Sequence, residues 1–160
     1  LMENLIKSGH VVTHLPVIKI EKLKTKKIDL LNYQAIIFTS SNAVKFMNIE
    51  KFNSKIKCFC VGKATELTAR QIGFINTYAS EGTVDSLVEL IMRNLDSKSG
   101  KLLYLSSEFI SKDLDKDLIK SGYSVDRISN YTSLPIEEID EKTLIFFKKK
   151  LFKNKWTSNS

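Results

Sequence analysis

The sequence predicts an α/β fold, a parallel sheet with helices packed on both faces. Three observations carry this expectation. Short, strictly apolar runs recur at 35–38, 58–61, 102–105 and 144–147. Amphipathic stretches with helical spacing lie between the first three of them. Small polar residues or glycine stand at nearly every junction. A strand that is apolar throughout, rather than at alternate positions, must be covered on both sides, which is the situation of a parallel sheet between helix layers.

The elements follow in order. Residues 34–39 read as a buried strand, followed by Ser40-Ser41-Asn42 and a helix carrying Val44 and Met47. The next strand is 56–61, then Gly62 and a helix to Gln71, closed by Gly73-Phe74. A short strand at 75–79 leads into Ser80-Glu81-Gly82-Thr83 and a helix with Val84, Leu87, Val88, Ile91 and Leu95 on one face. Gly100 precedes a strand at 102–105. Ser106-Ser107-Glu108 then opens onto a helix carrying Ile110, Leu114 and Leu118, ended at Gly122. The pattern is doubly wound and flavodoxin-like. An internal echo accompanies it: Leu5-Ile6-Lys7-Ser8-Gly9 matches Leu118-Ile119-Lys120-Ser121-Gly122. Each copy reads as a helix end whose glycine takes the left-handed conformation, followed by a strand running to a Leu-Pro.

Composition narrows the function classes. The 160 residues are 42% hydrophobic and 27% charged with 6 Gly and 2 Pro, enough apolar mass for a real core and too little Gly and Pro for a low-complexity chain. No apolar run approaches a membrane span, and no secretory leader pattern is present, so a cytoplasmic location and no membrane partner are expected. The net charge of +7 resolves into +3 over 1–30, −1 over 31–140 and +5 over 141–160. The basic excess therefore sits at the ends, whereas a nucleic-acid binder more often spreads a basic stripe over its folded domain, so no nucleic-acid partner is expected. Cys58 and Cys60 share one face of a strand and read as buried thiols, and with no nearby His they make no zinc site. His10 and His14 stand apart from any carboxylate or Cys cluster. No metal site is expected.

The chemistry is expected at the carboxyl ends of the strands. There Thr39-Ser40-Ser41-Asn42, Gly62-Lys63-Ala64-Thr65, Ser80-Glu81-Gly82-Thr83 and Ser106-Ser107-Glu108 meet helix N-termini along one sheet edge. Free N–H groups and hydroxyls suit carboxylates or phosphates. Ser, Thr and Asn are also simply good N-caps, and one such loop alone decides nothing. A glycine-rich dinucleotide loop, a Walker lysine loop and a nucleophile elbow are all missing, which disfavours nucleotide and hydrolase sites.

The segments Phe38-Thr39-Ser40-Ser41-Asn42-Ala43-Val44, Val61-Gly62-Lys63-Ala64-Thr65, 82–87 and 100–131, in this order and spacing, resemble uroporphyrinogen-III synthase. The resemblance implies two α/β domains joined by a two-strand ladder, with a cleft between them. It implies a cofactor-free lyase of heme biosynthesis, acting on a polycarboxylate tetrapyrrole. Such enzymes close hydroxymethylbilane while inverting its last ring, ring D. The bilane carries carboxylates on every ring and closes without inversion by itself, so the enzyme mainly imposes a geometry and assists loss of the hydroxyl. By resemblance Thr39, Ser40, Asn42, Gly62, Thr65, Ser106, Ser107 and Glu108 bind substrate. Tyr131, which assists departure of the hydroxyl, and Thr65 are the catalytic residues. Tyr131 also reads as a ladder residue with a satisfied hydroxyl. An intact member is expected to be a monomer.

Set beside the family's pattern, residues 17–131 read as one complete domain. Residues 1–16 read as a fragment of a similar first domain, and 132–160 as a return segment toward it with a basic tail. One alternative is a non-catalytic member that binds acidic tetrapyrroles or a partner chain. A receiver-like signalling domain shares the architecture, but it needs clustered acids where Phe38-Thr39-Ser40 offers hydroxyls.

Overall fold

The computed structural model describes residues 18–135 together with Ile145 and Lys149. The chain divides into two compact units, one of 1–19 with 134–160 and one of 20–133. Nearly all described residues belong to the second. The helix end expected at 1–8, the strand after it, His10 and His14 lie outside the described residues.

The strands are β1 (Ile18–Lys22), β2 (Ile28–Asp29), β3 (Ala35–Phe38), β4 (Ile49–Lys51), β5 (Lys57–Val61), β6 (Thr77–Ser80), β7 (Leu102–Ser107) and β8 (Val125–Pro135). The helices are α1 (Ser41–Lys45), α2 (Gly62–Gln71), α3 (Val84–Asn94) and α4 (Leu114–Lys120). β3, β5, β6, β7 and β8 form a wholly parallel sheet, with β1 on the outer side of β8. A separate two-stranded parallel ladder pairs Ile28 of β2 with Ile49 of β4.

The α/β class with a parallel sheet between helix layers is what the sequence predicts. The strand order departs from the flavodoxin-like expectation. In chain order the five strands lie as 3-2-1-4-5, with β3 central, whereas flavodoxin runs 2-1-3-4-5. Given this order, the handedness of crossovers decides which face each helix covers. A right-handed connection moving outward from β3 to β5 and β6 leaves its helices on one face. Returning past β3 to β7 and β8 leaves the next helices on the other.

The two cores show this division. Ala43 and Val44 of α1 and Ala69 of α2 pack with Ile36, Phe38, Cys58, Cys60, Leu103 and Leu105. Leu87 and Ile91 of α3 and Leu114 and Leu118 of α4 pack on Ala35, Ile37, Phe59, Leu102 and Tyr104. Alternate residues of β3 thus serve opposite layers, which is why 35–38 is apolar at every position. Cys58 and Cys60 are buried free thiols on the α1–α2 face, with their Sγ atoms 3.8 Å apart. Their mutual hydrogen bond, then burial, pushes the Cys58 thiol well above its ordinary range.

Several boundaries differ from expectation, and β7 runs on past 102–105 to Ser107, because Ser106 and Ser107 still pair with β8. α1 stops at Lys45, before Met47, where the Met47 N–H bonds the Val44 carbonyl three residues back instead of the carbonyl four back. β6 begins at Thr77, since the Ile75 N–H bonds the Ser54 carbonyl outside the ladder. α4 begins at Leu114, leaving Ile110 in a loop that an ion pair from Lys112 to Asp85 ties to the first turn of α3. Gly122 follows α4 at φ +91°, the left-handed close its position predicts.

Candidate functional site

The order 3-2-1-4-5 reverses its winding between β3 and β7, and a crevice opens at the carboxyl ends of strands flanking such a reversal. Thr39 and Ser40 follow β3, while Ser106 and Ser107 end β7. These sequence-predicted residues therefore flank the switch point of the sheet.

Ser40 is the N-cap of α1, its Oγ accepting the Ala43 N–H at 3.3 Å. The same Oγ lies 2.7 Å from the Tyr131 hydroxyl, close enough for a short hydrogen bond in which either oxygen can donate. Tyr131 is 7% exposed and packs near the Phe46 ring. Its orientation comes from a β-bulge. Ser106 pairs with Ser129, but Ser107 pairs with Tyr131, so Asn130 is the extra residue. Up to that point β8 alternates, with Val125 on the α3–α4 face and Ile128 on the α1–α2 face. Regular alternation would put Asn130 on the α1 side and Tyr131 on the other. The bulge puts both there: the Asn130 side chain donates to the Ala43 carbonyl at 2.7 Å, and Tyr131 reaches Ser40.

On the opposite face Thr39 approaches the Tyr104 hydroxyl at 3.5 Å. Burial pushes the Tyr104 hydroxyl up, against the lowering pull of the Thr39 hydrogen bond and of the Arg127 charge. Ser106 is fully buried, accepting a hydrogen bond from Arg127 Nε at 2.9 Å and donating to the Ser107 carbonyl at 3.0 Å. Glu108 is exposed, and its N–H donates to the Tyr131 carbonyl at 2.9 Å. Ser107 Oγ and Thr132 Oγ1 are buried with no hydrogen-bond partner among the described residues.

The structure thus brings Ser40, Ser107 and Glu108 together around Tyr131, with Thr39 and Ser106 on the far face of the same edge. Asn42 lies in the first turn of α1 and Gly62 opens α2 at φ +76°. Thr65 is buried one turn further into α2. No hydrogen bond joins Asn42, Gly62 or Thr65 to Tyr131 among the described residues. The simpler capping reading holds for Ser40, and for Thr83, which accepts the Ser86 N–H at 3.1 Å at the head of α3. α2 has no side-chain cap. Sequence reasoning missed Tyr104, Arg127 and Asn130. Only Arg127 carried a signal, as one of three arginines beside 22 lysines in a total of 25 basic residues.

A cavity of about 410 Å³ lies elsewhere, where β3, β5 and β6 begin, lined by residues such as Tyr33, Gln34, Lys57 and Asn94. None of the sequence-predicted residues lines it. Among the described residues no group of three His, Cys, Asp or Glu is placed to hold a metal ion, and no helix is long and apolar enough to cross a membrane.

The model of the family described as uroporphyrinogen-III synthase HemD matches residues 1–153. The chain belongs to the uroporphyrinogen-III synthase HemD family. Solved structures of uroporphyrinogen-III synthases share its fold. The Helicobacter pylori 26695 synthetase is 20% identical with a TM-score of 0.56, over 81% of this chain and 58% of that one. A mutant synthase from the extremely thermophilic bacterium Thermus thermophilus is 17% identical with a TM-score of 0.57, over 93% of this chain and 62% of that one. The chain thus spans about three-fifths of the length of each of these synthases. No curated protein matches it by sequence.

Proposed function

We propose that this chain carries the reaction of its family, closing hydroxymethylbilane with inversion of ring D, and that the carboxyl edge around Tyr131 is the part of the site it contributes. The observation that carries the proposal is the Ser40–Tyr131 hydrogen bond at the switch point. Ser40 Oγ already accepts an amide N–H from α1, which leaves its proton free to donate to Tyr131. In that arrangement the Tyr131 proton meets no acceptor among the described residues and serves the hydroxyl that leaves the bilane as water. Thr39, Asn42, Gly62, Ser106, Ser107 and Glu108 stand as substrate-binding residues along the same edge, with Thr65 as a second catalytic residue beneath it. Residues 17–131 form one α/β domain in this reading, with 1–16 and 132–160 assigned to a similar one. The substrate's many carboxylates match an edge rich in hydroxyls and amide N–H groups.

The test is product analysis. Freshly generated hydroxymethylbilane is supplied to the purified chain, the products are oxidised, and type I and type III uroporphyrins are separated. Type III above the enzyme-free control, lowered by Tyr131→Phe and by Thr65→Ala, supports the proposal. Type I alone overturns it and leaves binding of acidic tetrapyrroles as the alternative.

A further inference from the structure

Arg127 differs from the other two arginines of the chain. Arg70 pairs with Glu66 at 3.2 Å and Arg93 with Glu89 at 3.5 Å, each one helical turn away. Arg127 sits half-buried on β8 and forms no ion pair among the described residues. Its protein partners are neutral oxygens: Ser106 Oγ at 2.9 Å from Nε, and the Ser107 and Glu108 carbonyls at 3.0 and 3.2 Å from Nη2. Asp113, an acid its charge reaches, is already held by Lys116 at 2.6 Å. Nη1 is left without a partner among the described residues. The direct partners of the guanidinium are thus all neutral, satisfying its N–H groups but not its charge, and the nearby Asp113 is shared with Lys116.

The other face of the same strand end holds a second unsatisfied group. Ser107 is 8% exposed and its hydroxyl has no partner, although buried hydroxyls are rarely left so. On the Arg127 face, a cation held only by neutral oxygens asks for an acceptor-only group, which a carboxylate is.

We propose that Arg127, fixed by three hydrogen bonds to the end of β7, anchors a carboxylate of an acidic ligand at the switch-point edge. The inference rests on the proposed function for its ligand class, and it adds a residue that the family resemblance does not assign. Fixing the guanidinium by Nε and Nη2 sets its direction before the ligand arrives, so little side-chain freedom is lost on binding.

The test titrates the chain with uroporphyrin III, a soluble polycarboxylate, and follows porphyrin fluorescence across a range of salt. Arg127→Gln, Arg127→Lys and the control Arg93→Gln are measured beside the unmodified chain, with hydrogen exchange over 106–113 as the readout of loop order. The unmodified chain is expected to bind. Arg127→Gln is expected to raise Kd about tenfold or more and to flatten the salt dependence, as loss of a charged hydrogen bond does. Arg127→Lys keeps the charge but not the three fixing hydrogen bonds and should lose clearly less than Arg127→Gln, while Arg93→Gln should bind like the unmodified chain. Equal losses in the Gln and Lys variants, with exchange protection lost in both, would show a loop staple and overturn the inference. Unchanged binding by Arg127→Gln overturns it alone. No binding by the unmodified chain overturns the ligand class and the inference with it.

Discussion

The bond between Ser40 and Tyr131 can be measured as a coupling free energy. Tyr131→Phe removes one hydroxyl from a buried ring. The partner is not orphaned, because Ser40 Oγ keeps the Ala43 N–H. The loss is therefore a net hydrogen bond, about 1 kcal/mol. Ser40→Ala removes the same bond and also uncaps α1, which adds about 1 kcal/mol, so about 2 kcal/mol in all. The double variant loses the cap once and the bond once, again about 2 kcal/mol. The cycle should thus close with a coupling of about 1 kcal/mol. Urea unfolding followed by far-UV circular dichroism at pH 7 resolves this, since distant sites add within about 0.3–0.5 kcal/mol. Additivity within about 0.3 kcal/mol would refute the reasoning, because it would mean that the two hydroxyls do not depend on each other in the folded chain. The bulge at Asn130 would then not hold Tyr131 against α1, and the proposed proton arrangement would lose its geometry.

Two further predictions concern the elements that carry this edge. Burial pulls the Glu66 carboxyl up, but hydrogen bonds from Thr77, Lys63 and Arg70 outweigh it and hold the group below its ordinary 4.5. The stability it contributes is present above pH 4.5 and is lost as pH falls through the lower folded value. Glu66→Gln should therefore be less stable than the parent at pH 6, with a gap that narrows toward pH 3 in urea titrations; a pH-independent gap would contradict it. Gly62 has φ +76°, and a Cβ there would meet only the Gly82 Cα at 3.9 Å. The cost of Gly62→Ala is then backbone strain of about 1–2 kcal/mol, and Gly62→Asn should cost less, because Asn tolerates this conformation. Equal thermal stability of the two variants would rule out strain as the cause.

Local chemistry alone determined a good part of this protein. Uninterrupted apolar runs such as 35–38 and 102–105 can be hidden only between two layers, so the α/β class follows from burial and needs no knowledge of strand order. Cys58 and Cys60 fall on one face because side chains two apart in a strand do so. Gly122 closes α4 because only glycine enters the left-handed region without strain. Ser40 was legible as a cap, and its proposed role in binding an acidic ligand came from resemblance to the family.

The rest depended on which strands meet. The orders 2-1-3-4-5 and 3-2-1-4-5 differ in which strand forms the edge, and the only trace of this along the chain is the more polar β6 beside the apolar β5, so the switch point between β3 and β7 was not read from the sequence. Regular alternation from Val125 sends Tyr131 to the wrong face, and only the slipped pairing of Ser106 and Ser107 against β8 corrects it. Arg127 gains its role from partners about 20 residues earlier in the chain, and Ser40 meets Tyr131 across 91 positions. Periodicity speaks for the face a residue shows within its own element. It is silent about bulges and cross-strand partners, because these arise from hydrogen bonding between segments that the sequence keeps far apart.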